Sequence, residues 1–254
     1  MQVRDIAQQV FHDLLSGFGL LSRLPMPQTT RHRPDALWTW PLVGAVLGGL
    51  ALLPGTVLDA LGAPVGAAAA TTLGLSILLT GAMHEDGLAD SADGLFGGWT
   101  RERRLEIMKD SRIGTYGTLA LIVTLLMTWS LLTELYEAGQ AHSVLAVAAL
   151  SRAPMAVTMV TLTNARGGGL SAGFGNPSRA AVGVCCVCAM LIAWVIMGNI
   201  FVVLAMLAAT LFATIAVAAL AQKRIGGQTG DILGATQQMA FVSALLAAQL
   251  GTAQ

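Results

Sequence analysis

The chain has 254 residues, of which 55% are hydrophobic and 11% are charged, and its formal net charge is zero. A soluble domain carries about 25% charged residues, so this composition indicates an integral membrane protein rather than a water-soluble one. The balanced charge gives no indication of a nucleic-acid partner.

The first element is an N-terminal amphipathic helix. Val3, Ile6, Val10 and Leu14 recur at helical spacing among polar residues. This pattern is typical of a helix that lies on a membrane surface, or equally of one that packs on the rest of the protein.

Seven apolar segments follow, at 37–58, 64–83, 115–135, 143–163, 180–198, 200–221 and 236–251. Because about 20 apolar residues span a bilayer, they predict an all-α, polytopic integral membrane helix bundle that forms a single domain over residues 1–254. The last segment is short, so we expect six or seven transmembrane helices. Arg152 falls within the fourth segment and is interpreted either as a structural ion-pair partner or as a substrate contact.

Positive charge predicts the orientation of the bundle. Of the 14 Lys and Arg residues, all except Arg152 fall on one side when the segments are threaded alternately through a membrane. By the positive-inside rule that side is cytoplasmic. The longer polar loops, 84–114, 164–179 and 222–236, share this side, so we expect a cytoplasm-facing site in the cytoplasmic (inner) membrane of a prokaryote.

The acidic stretch HEDGLADSADG, residues 84–94, carries the first candidate site. On a helix, Asp86, Asp90 and Asp93 fall within about 60° of one another, on one face. Such carboxylates suit Mg²⁺, or alternatively Mn²⁺, bridging to substrate phosphates. A solvated helix end is the alternative interpretation. His84 is a candidate metal ligand or general base, or an ordinary interfacial residue.

Basic and glycine-rich stretches supply candidate phosphate contacts. Lys109 and Arg112, in KDSRIG, are interpreted either as phosphate ligands or as membrane-orienting charges. Arg166 lies in a glycine-rich loop that either closes over a substrate or acts as a hinge. Gly226, Gly227 and Thr229, in GGQTGD, either hold an anion or form a simple turn, and Asp231 is a candidate metal ligand or base. Together these residues predict metal-dependent phosphoryl-group chemistry.

Longer strings make a family resemblance visible. RLPMP at 23–27, WPLVGAVLG at 40–48, HEDGLADSADG at 84–94, RRLEIMKDSRIGTYG at 103–117 and GGQTGDILGA at 226–235 closely resemble the cobalamin synthase family, the adenosylcobinamide-GDP ribazoletransferases. The resemblance implies transfer of phosphocobinamide from adenosylcobinamide-GDP to α-ribazole or its 5′-phosphate, with release of GMP. It also implies a Mg²⁺-dependent enzyme of the lipid bilayer in cobalamin biosynthesis, and it leaves open a homo-oligomer and contacts with other corrinoid-pathway enzymes.

The resemblance assigns roles residue by residue. It implies that Asp86, Asp90 and Asp93 bind metal, that His84 belongs to the site and that Asp231 completes it. Lys109 and Arg112 would neutralise the diphosphate. The chain departs from the family pattern at Glu85, where we expect Leu in many relatives, and at Gln237 and Gln238, where relatives often have an acidic residue.

Two alternatives remain at this point. A CDP-alcohol phosphotransferase-like lipid enzyme would also use spaced membrane aspartates, but after Asp90, Asp93 and Gly94 its longer motif fails at Trp99 and Thr100. A cation or solute transporter would place its carboxylates near mid-membrane, whereas these lie at the end of an apolar segment.

Overall fold

The computed structural model describes residues 3–27, 33–168 and 175–252, and within these ranges the backbone is helical and without β-strands. In chain order the helices are α1 (Val3–Leu21), a 3-10 helix (Pro34–Thr39), α2 (Trp40–Ala60), α3 (Val65–Thr80), α4 (Met83–Gly97), α5 (Arg101–Ile107), α6 (Thr115–Glu137), α7 (Ser143–Leu150), α8 (Ala153–Thr161), α9 (Arg179–Met197), α10 (Ile200–Ile225) and α11 (Gly230–Thr252).

Within the described ranges, five helical stretches are long and apolar enough to cross a membrane: Pro34–Ala60, Thr115–Glu137, Ser143–Thr161, Arg179–Met197 and Ile200–Ile225. Helices α3 and α4 pass the same criterion only as a pair, and they are bent by 86°. The molecule is therefore an all-α, polytopic membrane helix bundle, as the composition predicts, with five or six candidate spans.

Helix α11 differs from the predicted seventh segment, 236–251. It begins earlier, at Gly230, and it is not among the described helices that are apolar enough to span a membrane. It packs along α10 and across α4, which buries polar side chains such as Thr236, Gln237 and Gln238. Because protein rather than lipid surrounds these residues, the helix can be more polar than a lipid-facing span.

The N-terminal helix α1 is amphipathic, as its spacing predicts. In its first half residues 5–12 are exposed all around the helix, including Ile6, Val10 and Phe11, whereas Asp13, which begins the second half, is buried. The Asp13 carboxylate accepts hydrogen bonds from Nη1 of Arg33 at 3.1 Å and from Nε1 of Trp38 at 3.0 Å. These bonds hold α1 against the 3-10 helix that precedes α2.

A sharp bend separates α3 from the acidic helix α4. Gly81 and Ala82 both have left-handed backbone conformations, with φ of 66° and 57°. Ala82 is the single described non-glycine residue with positive φ, a conformation that strains an L-residue by about 1–3 kcal/mol. The bend turns α4 away from the direction of α3, so the predicted polar segment 84–114 begins as a helix.

One of the predicted polar loops is shorter than expected. Helix α10 continues to Ile225 and α11 begins at Gly230, so the connection predicted as 222–236 is reduced to 226–229. This connection pairs with the loop that follows α8, because the N–H of Gln228 donates to the carbonyl of Thr163 and the N–H of Ala165 donates to the carbonyl of Gln228, both at 2.8 Å. This pairing places the glycine-rich connection beside the segment that carries Arg166.

Candidate active site

Two glycines bring α4 and α11 into close contact. A Cβ atom on Gly87 would lie 2.9 Å from the carbonyl oxygen of Asp231, and one on Gly234 would lie 3.2 Å from the Cα of Gly87. A Cβ contact of 2.9 Å would force a shift, and one of 3.2 Å is tighter than most real contacts, so the crossing favours glycine on both helices, most strongly at Gly87. The crossing brings the first turn of α11, with Asp231, next to the acidic face of α4.

The structure brings together the carboxylates of these two helices. Asp86 is exposed and Asp90 is half-buried, one turn further along the same face of α4. The Asp90 carboxylate interacts electrostatically with four charged neighbours, which are Asp86, Asp93, Asp231 and Arg166. A cation would relieve the repulsion among these carboxylates, and the nearby guanidinium can pair with a phosphate, so the arrangement is suited to a cation that bridges to a phosphate.

Arg166 forms an ion pair with Asp231. Its Nη2 atom lies 2.7 Å from Oδ2 of Asp231, and the two side chains are only 14% and 20% exposed. Burial raises the pKa of Asp231, while Arg166 and a hydrogen bond donated by the Thr229 hydroxyl act in the opposite direction. Arg166, which the sequence offered as a substrate contact or as part of a hinge, therefore lies at the acidic site.

Asp93 has a different environment from the other two aspartates of α4. Its Oδ2 accepts a hydrogen bond from the N–H of Gly114 at 2.7 Å, and its Oδ1 accepts one from the N–H of Gly117 at 2.9 Å. The buried carboxylate thus satisfies two backbone donors at the start of α6. The prediction that Asp93 binds metal stays untested, but this side chain has an evident structural role.

His84 points to another part of the molecule. On an ideal helix it lies about 200° around the axis from Asp86. It is only 2% exposed and lines an internal cavity together with Glu85 and Arg152. The structure therefore does not bring His84 to the acidic face.

The glycine-rich connection has structural as well as candidate binding roles. Gly226 ends α10 in a left-handed conformation with φ of 76°. A Cβ atom on Gly227 would collide with the carbonyl of Thr163. The Thr229 hydroxyl accepts a hydrogen bond from the N–H of Ile232 at 3.3 Å, which caps the first turn of α11. These contacts fix the position of Asp231, which follows them directly.

Lys109 and Arg112 lie in the exposed loop between α5 and α6. The Arg112 guanidinium donates to Asp110 at 2.7 Å, and this hydrogen bonding lowers the pKa of Asp110 to about 2. The loop reaches the acidic helix two residues later, at Gly114, whose N–H binds Asp93. Both basic side chains are exposed and face no buried partner among the described contacts.

Sequence reasoning missed the contacts that hold the polar loops together. The Arg101 guanidinium donates to the carbonyls of Ile225 and Ala165, both at 2.8 Å. Arg104 donates to the carbonyl of Arg224 at 3.2 Å. These partners are more than 60 residues distant in the sequence, so no local pattern could distinguish these arginines from simple membrane-orienting charges.

Comparison with known proteins identifies the family. Residues 13–249 match the family model described as Cobalamin-5-phosphate synthase. The chain belongs to the cobalamin-5-phosphate synthase family. A Brucella ovis protein named adenosylcobinamide-GDP ribazoletransferase is 39% identical over 248 residues, which cover 92% of this chain and 95% of the relative. A Mesorhizobium japonicum protein of the same name is 38% identical over 248 residues, covering 96% and 95%. No solved structure gives a significant match.

Membership in the cobalamin-5-phosphate synthase family confirms the resemblance drawn from the sequence motifs, and it disfavours the lipid-enzyme and transporter alternatives. Two of the residues at which the chain departs from the expected family pattern, Glu85 and Gln238, contact each other. Nε2 of Gln238 donates to Oε1 of Glu85 at 2.8 Å. Glu85 and Gln238 therefore form a matched pair between α4 and α11.

The acidic site is compatible with a hard divalent cation, although its described side chains do not form a complete coordination shell. In the part of the chain that the structure describes, no group of three or more His, Cys, Asp or Glu side chains is arranged to hold a metal ion. Mg²⁺ is commonly bound by one or two carboxylates, with water and substrate phosphates completing its coordination. Asp86 and Asp90 can supply those two carboxylates without Asp93, which binds backbone, or Asp231, which pairs with Arg166.

Proposed function

We propose that this chain is an adenosylcobinamide-GDP ribazoletransferase whose active site lies where α4 crosses α11. The observation that carries this proposal is the convergence of Asp86, Asp90 and Asp231 with the buried guanidinium of Arg166. Carboxylates beside a guanidinium are suited to a phosphate-containing donor and a divalent cation. The family membership supplies the donor and acceptor, since the curated relatives carry that activity in their names.

The proposed reaction exchanges a phosphoanhydride bond for a phosphodiester bond. A ribose hydroxyl oxygen of α-ribazole, or of its 5′-phosphate, forms a bond to the phosphorus that carries cobinamide. The bond between that phosphorus and the oxygen bridging to the guanosine-bearing phosphate breaks, and GMP leaves with that oxygen. The hydroxyl proton passes to a carboxylate and then to solvent. The products are adenosylcobalamin, or its 5′-phosphate, and GMP.

In this proposal Arg166 binds the diphosphate of the donor. Its guanidinium already contacts a carboxylate oxygen of Asp231, and a phosphate oxygen offers the same kind of partner with more negative charge. Movement of the guanidinium from Asp231 to the donor would leave Asp231 free to accept the hydroxyl proton. The raised pKa of Asp231 makes its carboxylate a stronger base than an exposed aspartate. Lys109 and Arg112 would extend the phosphate-binding surface.

Asp86 and Asp90 would hold the Mg²⁺ ion, or Mn²⁺ in its place. When bound to the donor's phosphates, such an ion neutralises the charge that develops on the leaving group. In this proposal Asp93 contributes by fixing the start of α6, and His84 belongs to the internal cavity rather than to the reacting groups.

We further propose that the site faces the cytoplasm from the inner membrane of a prokaryote. The support is the distribution of charge, because the polar loops that surround the site hold most of the Lys and Arg residues. Arg101, Arg104 and Arg166 belong to those loops, next to the α4–α11 crossing. A nucleotide-activated donor made in the cytoplasm would reach the site without crossing the membrane.

The test is product formation by the purified full chain in detergent micelles. The protein is supplied with adenosylcobinamide-GDP and α-ribazole in Mg²⁺, and then in EDTA. We expect GMP and a corrinoid product in equal amounts, only when both acceptor and metal are present. GMP release without acceptor would indicate a hydrolase instead. No release by folded protein under any divalent metal would contradict the proposal.

A further inference from the structure

An internal cavity lies on the side of α4 that faces away from Asp86. Its volume is about 40 Å³, and residues of α2, α3, α4, α6, α7 and α11 line it. We call it the polar chamber, because His84, Glu85, Arg152, Gln237 and Gln238 are among the side chains that line it. Such a set is unusual inside a membrane bundle, where polar groups are costly unless they are paired.

Several polar atoms that face the polar chamber are buried and unpartnered. Among the described residues, these atoms are Nε2 of His84, Oε2 of Glu85, Nε of Arg152 and Oε1 of Gln237. The side chains of His84, Arg152 and Gln237 belong to residues that are only 2%, 4% and 3% exposed. Each unpartnered buried group of this kind costs free energy comparable to a lost hydrogen bond or more, so a ligand in the chamber would be strongly favoured.

The two charged groups of the polar chamber interact without touching. Glu85 and Arg152 influence each other electrostatically, yet their charged atoms are more than 4.0 Å apart. Nη1 of Arg152 donates a hydrogen bond to the carbonyl of Ala148 at 2.7 Å, and Oε1 of Glu85 accepts one from Nε2 of Gln238 at 2.8 Å. A buried charge pair at this separation is poorly compensated by direct attraction alone.

We propose that the polar chamber is a binding site for water, through which Arg152 and Glu85 are joined across the bundle. Water fits the lining because it can accept from Nε of Arg152 and donate to the oxygens of Glu85 and Gln237. An anion would satisfy only the donor, and a cation only the acceptors. The volume is sufficient, since about 10–15 Å³ of such space holds one molecule, so the chamber has room for two or three.

The water-linked pair acts as a positioning element for the acidic helix. Glu85 immediately precedes Asp86 in the first turn of α4, directly after the strained residue Ala82. Arg152 lies between α7 and α8 and also lines the chamber. A hydrogen-bonded connection between them would hold the first turn of α4 against the bundle. The inference rests on the chamber and not on the proposed reaction.

Radiolytic hydroxyl-radical labelling of the full chain in micelles tests for the water. Synchrotron radiation produces radicals from water at buried sites, so a leucine beside internal water is oxidised although it is hidden from bulk solvent. Leu47 and Leu132 line the chamber at 2% exposure, whereas Leu135 and Leu245 are 0% exposed in the apolar core. We expect several-fold faster oxidation of the first pair. Equal rates for the two pairs would show a dry chamber and overturn the proposal.

A double-mutant cycle tests the link between the charges, with unfolding temperature as the readout. Glu85→Gln and Arg152→Met each leave one buried charge without its partner, so each should lower the unfolding temperature by about 6 °C or more. The double variant removes both charges and should lose less than the sum of the single variants. The control cycle, Arg103→Met with Glu106→Gln, alters a pair that is 59% and 69% exposed and should show little coupling.

The cycle remains informative if the single variants do not fold. Recovery of folded protein in the double variant alone would support the link, because it shows that removing the second charge relieves the first defect. Additive losses in Glu85→Gln and Arg152→Met, or failure of the double variant together with both single variants, would contradict it.

Discussion

Asp93 differs from Asp86 and Asp90 in what its carboxylate binds. Both of its oxygens accept backbone hydrogen bonds from the start of α6, while Asp86 is exposed and Asp90 is half-buried among charged neighbours. The three aspartates share one helical face, as the sequence predicts, but they do not share one environment. Separate measurements of stability and turnover can therefore distinguish their roles.

Replacement of Asp93 should lower the stability of the folded protein. Asp93→Asn removes the charge and one of two oxygen acceptors, so we expect a loss of about 1.5–3 kcal/mol in the free energy of unfolding. Unfolding of the purified variant in micelles provides the measurement. Glu102→Gln is the control, because that side chain is 78% exposed and should be nearly neutral when changed. Unchanged stability of Asp93→Asn would exclude a capping role for the carboxylate.

Replacement of Asp231, unlike that of Asp93, should raise the stability of the folded protein, and the size of this effect should depend on pH. Burial raises this pKa above its unfolded value, so the folded state favours the protonated form, and ionisation costs stability as pH rises through the folded pKa. Asp231→Asn should therefore unfold at a higher temperature than the parent at pH 8. The difference should shrink towards pH 4. A constant difference across this range would show that the carboxyl does not titrate as burial predicts.

Arg166 should contribute to donor binding. If its guanidinium makes one charge-assisted hydrogen bond to the diphosphate, Arg166→Met should weaken donor binding by about 1.5–3 kcal/mol, roughly 10- to 150-fold. Equilibrium binding of adenosylcobinamide-GDP to the variant provides the measurement. Arg103→Met is the matched control, since that arginine is exposed and pairs with Glu106. Equal donor affinity in the two variants would remove Arg166 from the binding site.

At the scale of elements, the glycine crossing between α4 and α11 determines whether the site can assemble. Gly87→Ala and Gly234→Ala would each place a methyl group against the backbone of the other helix. We expect each to cost about 1–3 kcal/mol of stability and to reduce turnover, because the helices must separate. Gly183→Ala in α9 is the control, since no described atom lies within 4 Å of the added methyl group. Full activity in both crossing variants would show that the separation of the helices does not matter.

Elements that depend on local sequence could be predicted, whereas elements that depend on long-range contacts could not. The apolar segments at 115–135 and 180–198 correspond closely to α6 and α9, because hydropathy depends on each segment alone. The bend at Gly81 and Ala82 was not predicted, since it needs the left-handed conformation of an alanine. The burial of α11 was also missed, because it depends on long-range contacts, such as the bonds that Nε2 of Gln237 and Nε2 of Gln238 donate to Ser151 and Glu85.

The same distinction between local and long-range interactions applies to the candidate site. The acidic pattern located Asp86 and Asp90, because their common face depends only on helical spacing. The ion pair between Arg166 and Asp231 joins residues 65 positions apart in the sequence. The hydrogen bond that Asp93 accepts from the N–H of Gly117 in α6 joins two different helices. Such contacts depend on how helices pack, so the sequence could offer these residues as candidates but could not assign their partners.

At the scale of the whole molecule, the bundle places its polar groups in two separate regions. One is the polar chamber inside the bundle, and the other is the α4–α11 crossing, with Asp86, Asp90, Asp231 and Arg166. Helix α4 separates them, with His84 and Glu85 on one side and the acidic face on the other. This arrangement anchors one side of α4 in the interior of the bundle while Asp86, on its other side, stays exposed.

The most direct test of this account is GMP release by Asp86→Asn and Asp90→Asn, measured beside the parent chain with adenosylcobinamide-GDP, α-ribazole and Mg²⁺. Rates are normalised to folded, monodisperse protein, and unfolding temperatures are recorded for each variant. The account predicts that both variants fold as the parent does and release almost no GMP. Parental rates of release from either folded variant would contradict the placement of the active site at the α4–α11 crossing.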